Sequence, residues 1–234
     1  MGTASKNIIV SAMNEGRLSL LEPEAKTICM DYGIPTPDFC VVSSKDEASK
    51  ASKKFGYPVV LKIVSPDILH KTEAGGVIVG LNSGEEVKKG YEQVIRNAKK
   101  YKADAKISGV LVQKMAPKGT EVIIGGLKDP QFGQTLMFGL GGVFVEILKD
   151  ITFRIAPIEE TDARSMITEI KAYPILKGFR GQEPVDQEAI VRILLDASKM
   201  LMDLPEVNQM DLNPIMAYNK GASVVDARIL LEKL

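Results

Sequence analysis

Cysteine is scarce in this sequence, with only Cys29 and Cys40 among 234 residues. Two cysteines cannot build a disulfide framework, and their positions fit neither a C-x-x-C redox motif nor a zinc site. This composition is typical of a reducing compartment. We therefore expect a cytoplasmic protein.

Net charge and long apolar runs are also missing. The 30 basic and 30 acidic side chains cancel, so the chain has no overall field to hold nucleic acid or an anionic membrane. No stretch reaches the roughly 18 consecutive apolar residues that span a bilayer, and the apolar run near the N-terminus is too short for a signal peptide. The 45% hydrophobic content is enough for a large core. We expect a soluble protein in which a small anionic ligand would need a local site.

Histidine occurs once, as His70. A single imidazole excludes a polyhistidine metal site, and the scarcity of cysteine excludes a thiolate site. A neutral imidazole can attack a phosphoryl donor, and the resulting N–P bond is reactive enough to pass the group on. A lone loop histidine is more often a solvated or packed side chain. By itself, the residue leaves both interpretations open.

Helices and strands alternate through the first half of the chain. Apolar spacing and two capping boxes, Ser44 with Glu47 and Ser83 with Glu86, indicate where the helices begin. The predicted elements are helix 21–32, strand 39–42, helix 44–56, strand 59–64, strand 76–81 and helix 83–98. The polar segment 65–75 between two strands contains the histidine, and we expect it to be an active loop.

Strands dominate from residue 109 onward. The predicted elements are strands at 110–115, 122–124, 135–138 and about 153–155, helices near 161–171 and 186–202, and a hairpin from about 209 to 228. Strands this closely spaced favour antiparallel pairing. We expect an α/β (α+β) chain with a polar leader at 1–15, a small lobe at 16–108 and a larger lobe at 109–234. A ligand is expected between the lobes, because clefts at such interfaces are preferred binding sites.

The terminal hairpin predicts a cation site. A turn midpoint between residues 219 and 220 places Asn213 opposite Asp226. The same register makes Asp211 and Arg228 a supporting pair. Paired side chains on one face lie about 5 Å apart at Cβ, so two oxygens can meet at one ion. An amide and a carboxylate suit Mg²⁺, which takes further ligands from water and phosphate, but ordinary polar hairpin positions remain an alternative.

Lys62 interrupts an otherwise apolar strand. A buried lysine is costly unless an anion meets it. The side chain therefore either binds phosphate in a cleft or lies on the wet face of an edge strand.

Two glycine-rich segments and one strand junction are further candidates. Gly75 and Gly76, and the segment 138–142, form turns whose amides could approach phosphate oxygens, although tight turns alone also explain such patterns. The junction from Gln113 to Glu121 could present backbone groups to a purine and a carboxylate to a ribose or cation. A plain hairpin is the alternative there.

Five segments together resemble one known family. They are Lys62 on its strand, SPDILHKTEAGGV at 65–77, DPQFG at 129–133, FGLGG at 138–142 and DLNP at 211–214. From about residue 16 to the C-terminus, the chain resembles the β subunit of ADP-forming acetyl-CoA synthetase. The resemblance implies an ATP-grasp fold, related to the nucleotide-binding subunit of succinyl-CoA synthetase, whose two lobes close on Mg-nucleotide.

The resemblance also implies roles for individual residues. The matched positions are Lys62 for the phosphate-binding lysine, Gln113 and Met115 for the purine-contacting linker, Glu121 for a nucleotide-site carboxylate, and Asn213 and Asp226 for the magnesium ligands. His70 matches a phosphorylation site on a mobile loop that accepts the group from a histidine of an α subunit and delivers it to ADP. We expect Gly75 and Gly76 to act as the hinge of this loop.

A partner is expected because the sequence has no second histidine and no CoA-binding nucleotide fold. The resemblance implies an α subunit that carries these parts, usually in an α2β2 assembly. Together the subunits would convert acyl-CoA, phosphate and ADP to acid, CoA and ATP. Two alternatives stay open: a stand-alone ATP-grasp ligase in which His70 is incidental, and a nucleotide-sensing module without catalysis.

Overall fold

The computed structural model describes residues 3–142, 149–179, 181 and 183–233. In chain order the helices and strands are α1 (Thr3–Asn14), α2 (Glu22–Asp31), β1 (Phe39–Val42), α3 (Lys45–Phe55), β2 (Val59–Val64), β3 (Val77–Leu81), α4 (Gly84–Tyr101), β4 (Gly109–Lys114), β5 (Thr120–Asp129), β6 (Gly133–Leu140), β7 (Ile151–Ile155), α5 (Glu160–Glu169), α6 (Tyr173–Leu176), α7 (Gln187–Asp203), β8 (Val207–Ala217), β9 (Ala222–Val224) and β10 (Ala227–Leu231). None of these helices is long and apolar enough to span a membrane.

The chain divides into two compact units. The four-stranded unit contains Leu21–Pro23 and Pro37–Ala116, and the six-stranded unit contains the chain up to Leu20, Glu24–Thr36 and the chain from Pro117 onward. Each unit has its own buried hydrophobic cluster.

The four-stranded unit is an antiparallel sheet in the order β1-β4-β2-β3, with α3 and α4 packed against it. Both helices begin where the sequence predicts, because the Ser44 and Ser83 hydroxyls accept hydrogen bonds from the backbone N–H groups of Glu47 and Glu86. Leu61 and other alternate strand residues join the helical apolar face in the core. β2 is therefore an interior strand, buried along its whole length.

The six-stranded unit is also antiparallel, in the order β10-β8-β5-β6-β7 with β9 paired to β8. β5 runs to Asp129, well beyond the predicted strand at 122–124. Its glycines permit close packing, since a Cβ at Gly126 would lie 2.7 Å from Leu201 Cδ1 of α7. The apolar face of α7 thus closes on the middle of the sheet.

The prediction of a polar leader at 1–15 is wrong. Most of this segment is α1, whose Ile9 and Ala12 are buried in the core of the six-stranded unit. The Ser5 hydroxyl also donates a 2.6 Å hydrogen bond to Asp31 of α2. The buried positions Ser5, Ile9 and Ala12 recur at helical spacing, so the segment is an amphipathic helix and not a leader.

The predicted lobe boundary between residues 108 and 109 also differs from the structure. β4 pairs with β1 and β2, so the four-stranded unit extends to Ala116. The chain also enters this unit early, through Leu21–Pro23. Both departures arise from pairing between residues distant in sequence, which local patterns do not reveal.

Candidate functional site

Lys62 lies on the interior strand β2 and is almost completely buried. Its Nζ donates a 2.6 Å hydrogen bond to Oε1 of Glu22, and the two side chains are only 6% and 5% exposed. The proposal that Lys62 lies on a wet edge strand is therefore wrong. A buried anion does meet this lysine, as the cost of burying its charge requires.

Glu22 also binds a second lysine. Its Oε2 accepts from Nζ of Lys71, the residue that follows His70. Sequence reasoning missed Glu22, because an acidic residue in the first turn of a helix is ordinary and needs no further explanation. Its two lysine partners lie 40 and 49 residues away in sequence.

The His70 ring lies on the surface of the four-stranded unit. Its side chain is 62% exposed, and its Nδ1 lies 3.8 Å from Oε1 of Glu73. The backbone around it forms a compact turn, with the Ala74 N–H donating to the His70 carbonyl at 3.1 Å. Ile68 and Ala74, which lie on either side of His70 in the sequence, are buried. The imidazole is thus accessible to a reactant while its flanks are anchored.

Both ends of the histidine segment, residues 65–76, are tied to the rest of the unit. Asp67 accepts hydrogen bonds from the backbone N–H of Lys106 at 2.7 Å and from Nζ of Lys102 at 3.1 Å. These donors, the Lys106 N–H first, hold the pKa of Asp67 below its ordinary value. At the other end, Asn97 donates to the carbonyl of Gly75 at 2.7 Å.

The two glycines of this segment are required by close packing. Gly75 has a φ of +61°, and a Cβ there would lie 2.8 Å from Nδ2 of Asn97. A Cβ on Gly76 would lie 2.5 Å from Cγ2 of Ile63 and 3.1 Å from the Lys71 carbonyl oxygen. The hinge assigned to these glycines stays a prediction.

The terminal hairpin has the register predicted from its turn. Asp211 pairs with Arg228 across β8 and β10, and the Asn213 N–H donates to the Asp226 carbonyl at 3.2 Å. Asn213 and Asp226 are therefore opposite one another, as the sequence indicates.

Asp211 and Asn213 are exposed on β8, and Asp226 is half-buried. Partial loss of hydration raises the pKa of Asp211, the nearby Asp226 raises it further, and Arg228 partly offsets both. A cavity of about 480 Å³ is lined by Asp211, Asn213 and Arg228. Among the described residues, no group of three or more histidine, cysteine or acidic side chains could hold a metal ion.

Glu121 begins β5 beside a glycine turn. The N–H of Gly141 donates to the Glu121 carbonyl at 2.7 Å, and a Cβ on Gly142 would lie 3.7 Å from Oε2 of Glu121. The predicted glycine turn at 138–142 is shorter than expected, because residues 138–140 belong to β6. The residues that follow, 143–148, lie outside the described part of the chain.

Gln113 and Met115 lie at the end of the four-stranded unit. Gln113 is fully buried in β4, and the Met115 N–H donates to the Pro58 carbonyl at 3.0 Å. The alternative of a plain hairpin from Gln113 to Glu121 is wrong, since β4 pairs with β1 and β2 whereas β5 pairs with β6 and β8.

Comparison with known proteins identifies the family. Residues 11–231 match the family described as an ATP-grasp domain. Two similar proteins are β subunits of acetate–CoA ligase [ADP-forming] from Pyrococcus furiosus. The subunit of enzyme I is 51% identical over 97% of this chain and 97% of its own length, and that of enzyme II is 54% identical over 96% and 97%.

A similar solved structure is an acetyl-coenzyme A synthetase from Ca. Korarchaeum cryptofilum. It is 51% identical, covers 97% of this chain and 100% of its own chain, and superposes with a TM-score of 0.87. That structure is a complex with coenzyme A and Mg-AMPPCP, and its phosphohistidine segment points towards the nucleotide-binding site. The mixed helices and antiparallel sheets described above agree with this fold. The chain belongs to the ATP-grasp family, and within it to the β subunits of ADP-forming acetate–CoA ligases.

Proposed function

We propose that this chain is the nucleotide-binding β subunit of an ADP-forming acyl-CoA synthetase and that His70 relays a phosphoryl group to ADP. The observation that carries the proposal is the exposed ring of His70, 62% accessible on a turn whose next residue, Lys71, is bound to the same carboxylate as Lys62. The Korarchaeum neighbour has a phosphohistidine segment. In this chain a segment of that kind must contain His70, because there is no other histidine.

The step assigned to this chain is the transfer from phospho-His70 to ADP. A terminal β-phosphate oxygen of ADP attacks the phosphorus, the N–P bond breaks, and the ring nitrogen keeps the electron pair. The products are ATP and the free imidazole. With an α subunit, in an α2β2 assembly, this step completes the conversion of acyl-CoA, phosphate and ADP to acid, CoA and ATP.

Lys62 binds the phosphates of the nucleotide in this proposal. Phosphoryl transfer depends mainly on positioning and on neutralising charge as the group moves, and a lysine ammonium fixed on an interior strand supplies both. The strand is buried on both faces, so the ammonium cannot swing freely into water. Gly75 and Gly76 complete the turn that carries the imidazole and act as its hinge.

Asn213 and Asp226 would hold Mg²⁺ through one amide oxygen and one carboxylate. The bound ion would neutralise charge on the nucleotide phosphates. The raised pKa of Asp211 agrees with this assignment, because it reflects partial loss of hydration and, second, the negative charge of Asp226 nearby. Glu121 serves the nucleotide site as a carboxylate, and Gln113 and Met115 contact the purine.

Phosphorylation with labelled Mg-ATP tests the relay directly. We expect incorporation that is acid-labile and base-stable, mapped to the peptide that contains His70, and complete loss of label in His70→Asn. The wild-type protein should also exchange label between ATP and ADP without any acyl substrate. Acid-stable label, or full exchange by His70→Asn, would favour the stand-alone ligase. Nucleotide binding without exchange would favour the sensing module.

A further inference from the structure

Glu22 joins the strand lysine to the histidine segment through one carboxylate. Oε1 accepts from Lys62 at 2.6 Å, and Oε2 accepts from Lys71. All three residues lie within the four-stranded unit. The side chains of Glu22 and Lys62 are 5% and 6% exposed, whereas that of Lys71 is 18% exposed and reaches in from the surface.

Stability alone does not explain this arrangement. Ion pairs that are buried this deeply often contribute no more than apolar side chains of similar volume, because desolvation offsets the attraction between the charges. The position of the charges gives a better explanation, because Lys71 directly follows His70 in the chain.

The cluster is also arranged to respond to phosphate. Glu22 and a nucleotide phosphate are both anions that can pair with Lys62, so they compete for it. Lys71 can remain on Oε2 when Lys62 turns to phosphate, because the two lysines use different oxygens. The carboxylate then keeps the histidine segment in place while the strand lysine changes partner.

We propose that Glu22 is a positioning residue for the phosphoryl transfer: it anchors the histidine segment through Lys71 and gives up Lys62 to the phosphate when nucleotide binds. The inference rests on the proposed function of His70 and Lys62 and deepens it. Glu22 itself does not touch the reacting atoms. It acts through Lys71, which adjoins His70 in the chain, and through Lys62 on the neighbouring strand.

The kcat and KM of ATP–ADP exchange in Glu22→Gln distinguish a positioning role of Glu22 from a purely structural one. We expect kcat to fall about tenfold, because the histidine segment loses an anchor equivalent to about 1.4 kcal/mol. The KM for nucleotide should stay equal or decrease, because the anion that competes for Lys62 is gone. Glu22→Asp, which keeps the charge on a shorter arm, should recover part of the lost kcat.

A matched control is Glu24→Gln in the same helix, which removes an ion pair with Arg17 and leaves the lysines in place. It should change neither parameter. A rise in KM for Glu22→Gln in parallel with a fall in melting temperature would indicate a structural role and overturn the proposal. Unchanged kcat and KM would overturn it as well.

Limited trypsin digestion of the full chain tests the anchor without any phosphoryl transfer. Cleavage after Lys71, mapped by mass spectrometry, should be about tenfold faster in Glu22→Gln than in wild type or Glu24→Gln. If wild-type protein takes up no label, the relay is refuted, yet this digestion still decides whether Glu22 holds the segment. Equal cleavage in all three proteins would refute the anchor even if the relay is established.

Discussion

The two units of this protein carry charge in opposite ways. In the four-stranded unit, Lys62 and Lys71 share Glu22, so this cluster has an excess of one positive charge and each lysine is paired. In the six-stranded unit, Asp211 and Asp226 lie near Arg228, and partial loss of hydration, followed by repulsion from Asp226, raises the pKa of Asp211. One cluster is suited to an anion and the other to a cation. Each unit therefore offers a different local charge to a ligand, although the sequence as a whole has 30 basic and 30 acidic side chains.

Replacing Lys62 by methionine should have the largest effect on nucleotide binding. We expect nucleotide affinity to fall about 100-fold, or about 2.7 kcal/mol, because a charge-assisted contact to phosphate is lost in a poorly hydrated place. Glu22 keeps Lys71, so folding should persist. Titration calorimetry with Mg-ADP measures the effect, and Lys128→Met, which removes an ion pair with Glu232, is the control. Wild-type affinity in Lys62→Met would remove this lysine from the nucleotide site.

Two glycine substitutions compare the packing of the units. Gly76→Ala should destabilise the protein by about 2 kcal/mol, because its Cβ would lie 2.5 Å from Ile63 and meet backbone as well. Gly221→Ala in the terminal hairpin meets no atom within 4 Å, and only its φ of +79° opposes a side chain, at a cost of about 1 kcal/mol. Urea denaturation gives both values. A larger loss of unfolding free energy for Gly221→Ala than for Gly76→Ala would contradict the view that Gly76 is the more tightly packed glycine.

Asp226→Ala should abolish the magnesium dependence of nucleotide binding while leaving the sheet intact. We expect affinity for Mg-ADP to fall by about tenfold, towards that for ADP in the presence of EDTA. Circular dichroism checks the fold. If Asp226→Ala binds Mg-ADP as tightly as wild type does, the hairpin is not the metal site.

The pH dependence of stability should distinguish Asp211 from an ordinary surface carboxylate. Its folded-state pKa is raised, so the folded protein holds the proton more tightly, and this stabilisation is lost as pH rises through the raised pKa. Asp211→Asn removes that loss. Without magnesium, we expect the melting temperature of the variant relative to wild type to increase by about 1–3 °C between acidic and neutral pH. A melting-temperature difference that does not vary with pH would contradict the raised pKa of Asp211. Adding magnesium and nucleotide should make the pH dependence of this difference smaller.

Local patterns predicted much of the architecture. The Ser44 and Ser83 caps start helices where expected, and the turn between residues 219 and 220 sets the pairing of Asp211 with Arg228. These features succeed because a cap or a tight turn is decided by residues a few positions apart. The segment 1–15 failed for the opposite reason, since the burial of Ile9 depends on a core assembled from distant parts of the chain.

The candidate site divides along the same line. Local sequence features made Lys62, His70, Asn213 and Asp226 candidates, since a lone histidine, a lysine within an apolar strand and a paired hairpin can be read from short segments. The family resemblance was confirmed, and the roles of these four residues stay predictions.

The contact between Glu22 and Lys62, 40 residues apart in sequence, became visible only in the folded chain. The sheet order places Lys62 on an interior strand. The division of the chain puts Gln113 and Glu121 in different units. The physical reason is that the pairing of distant charges and the order of strands are decided by chain packing, whereas the local signals fix the elements that are packed.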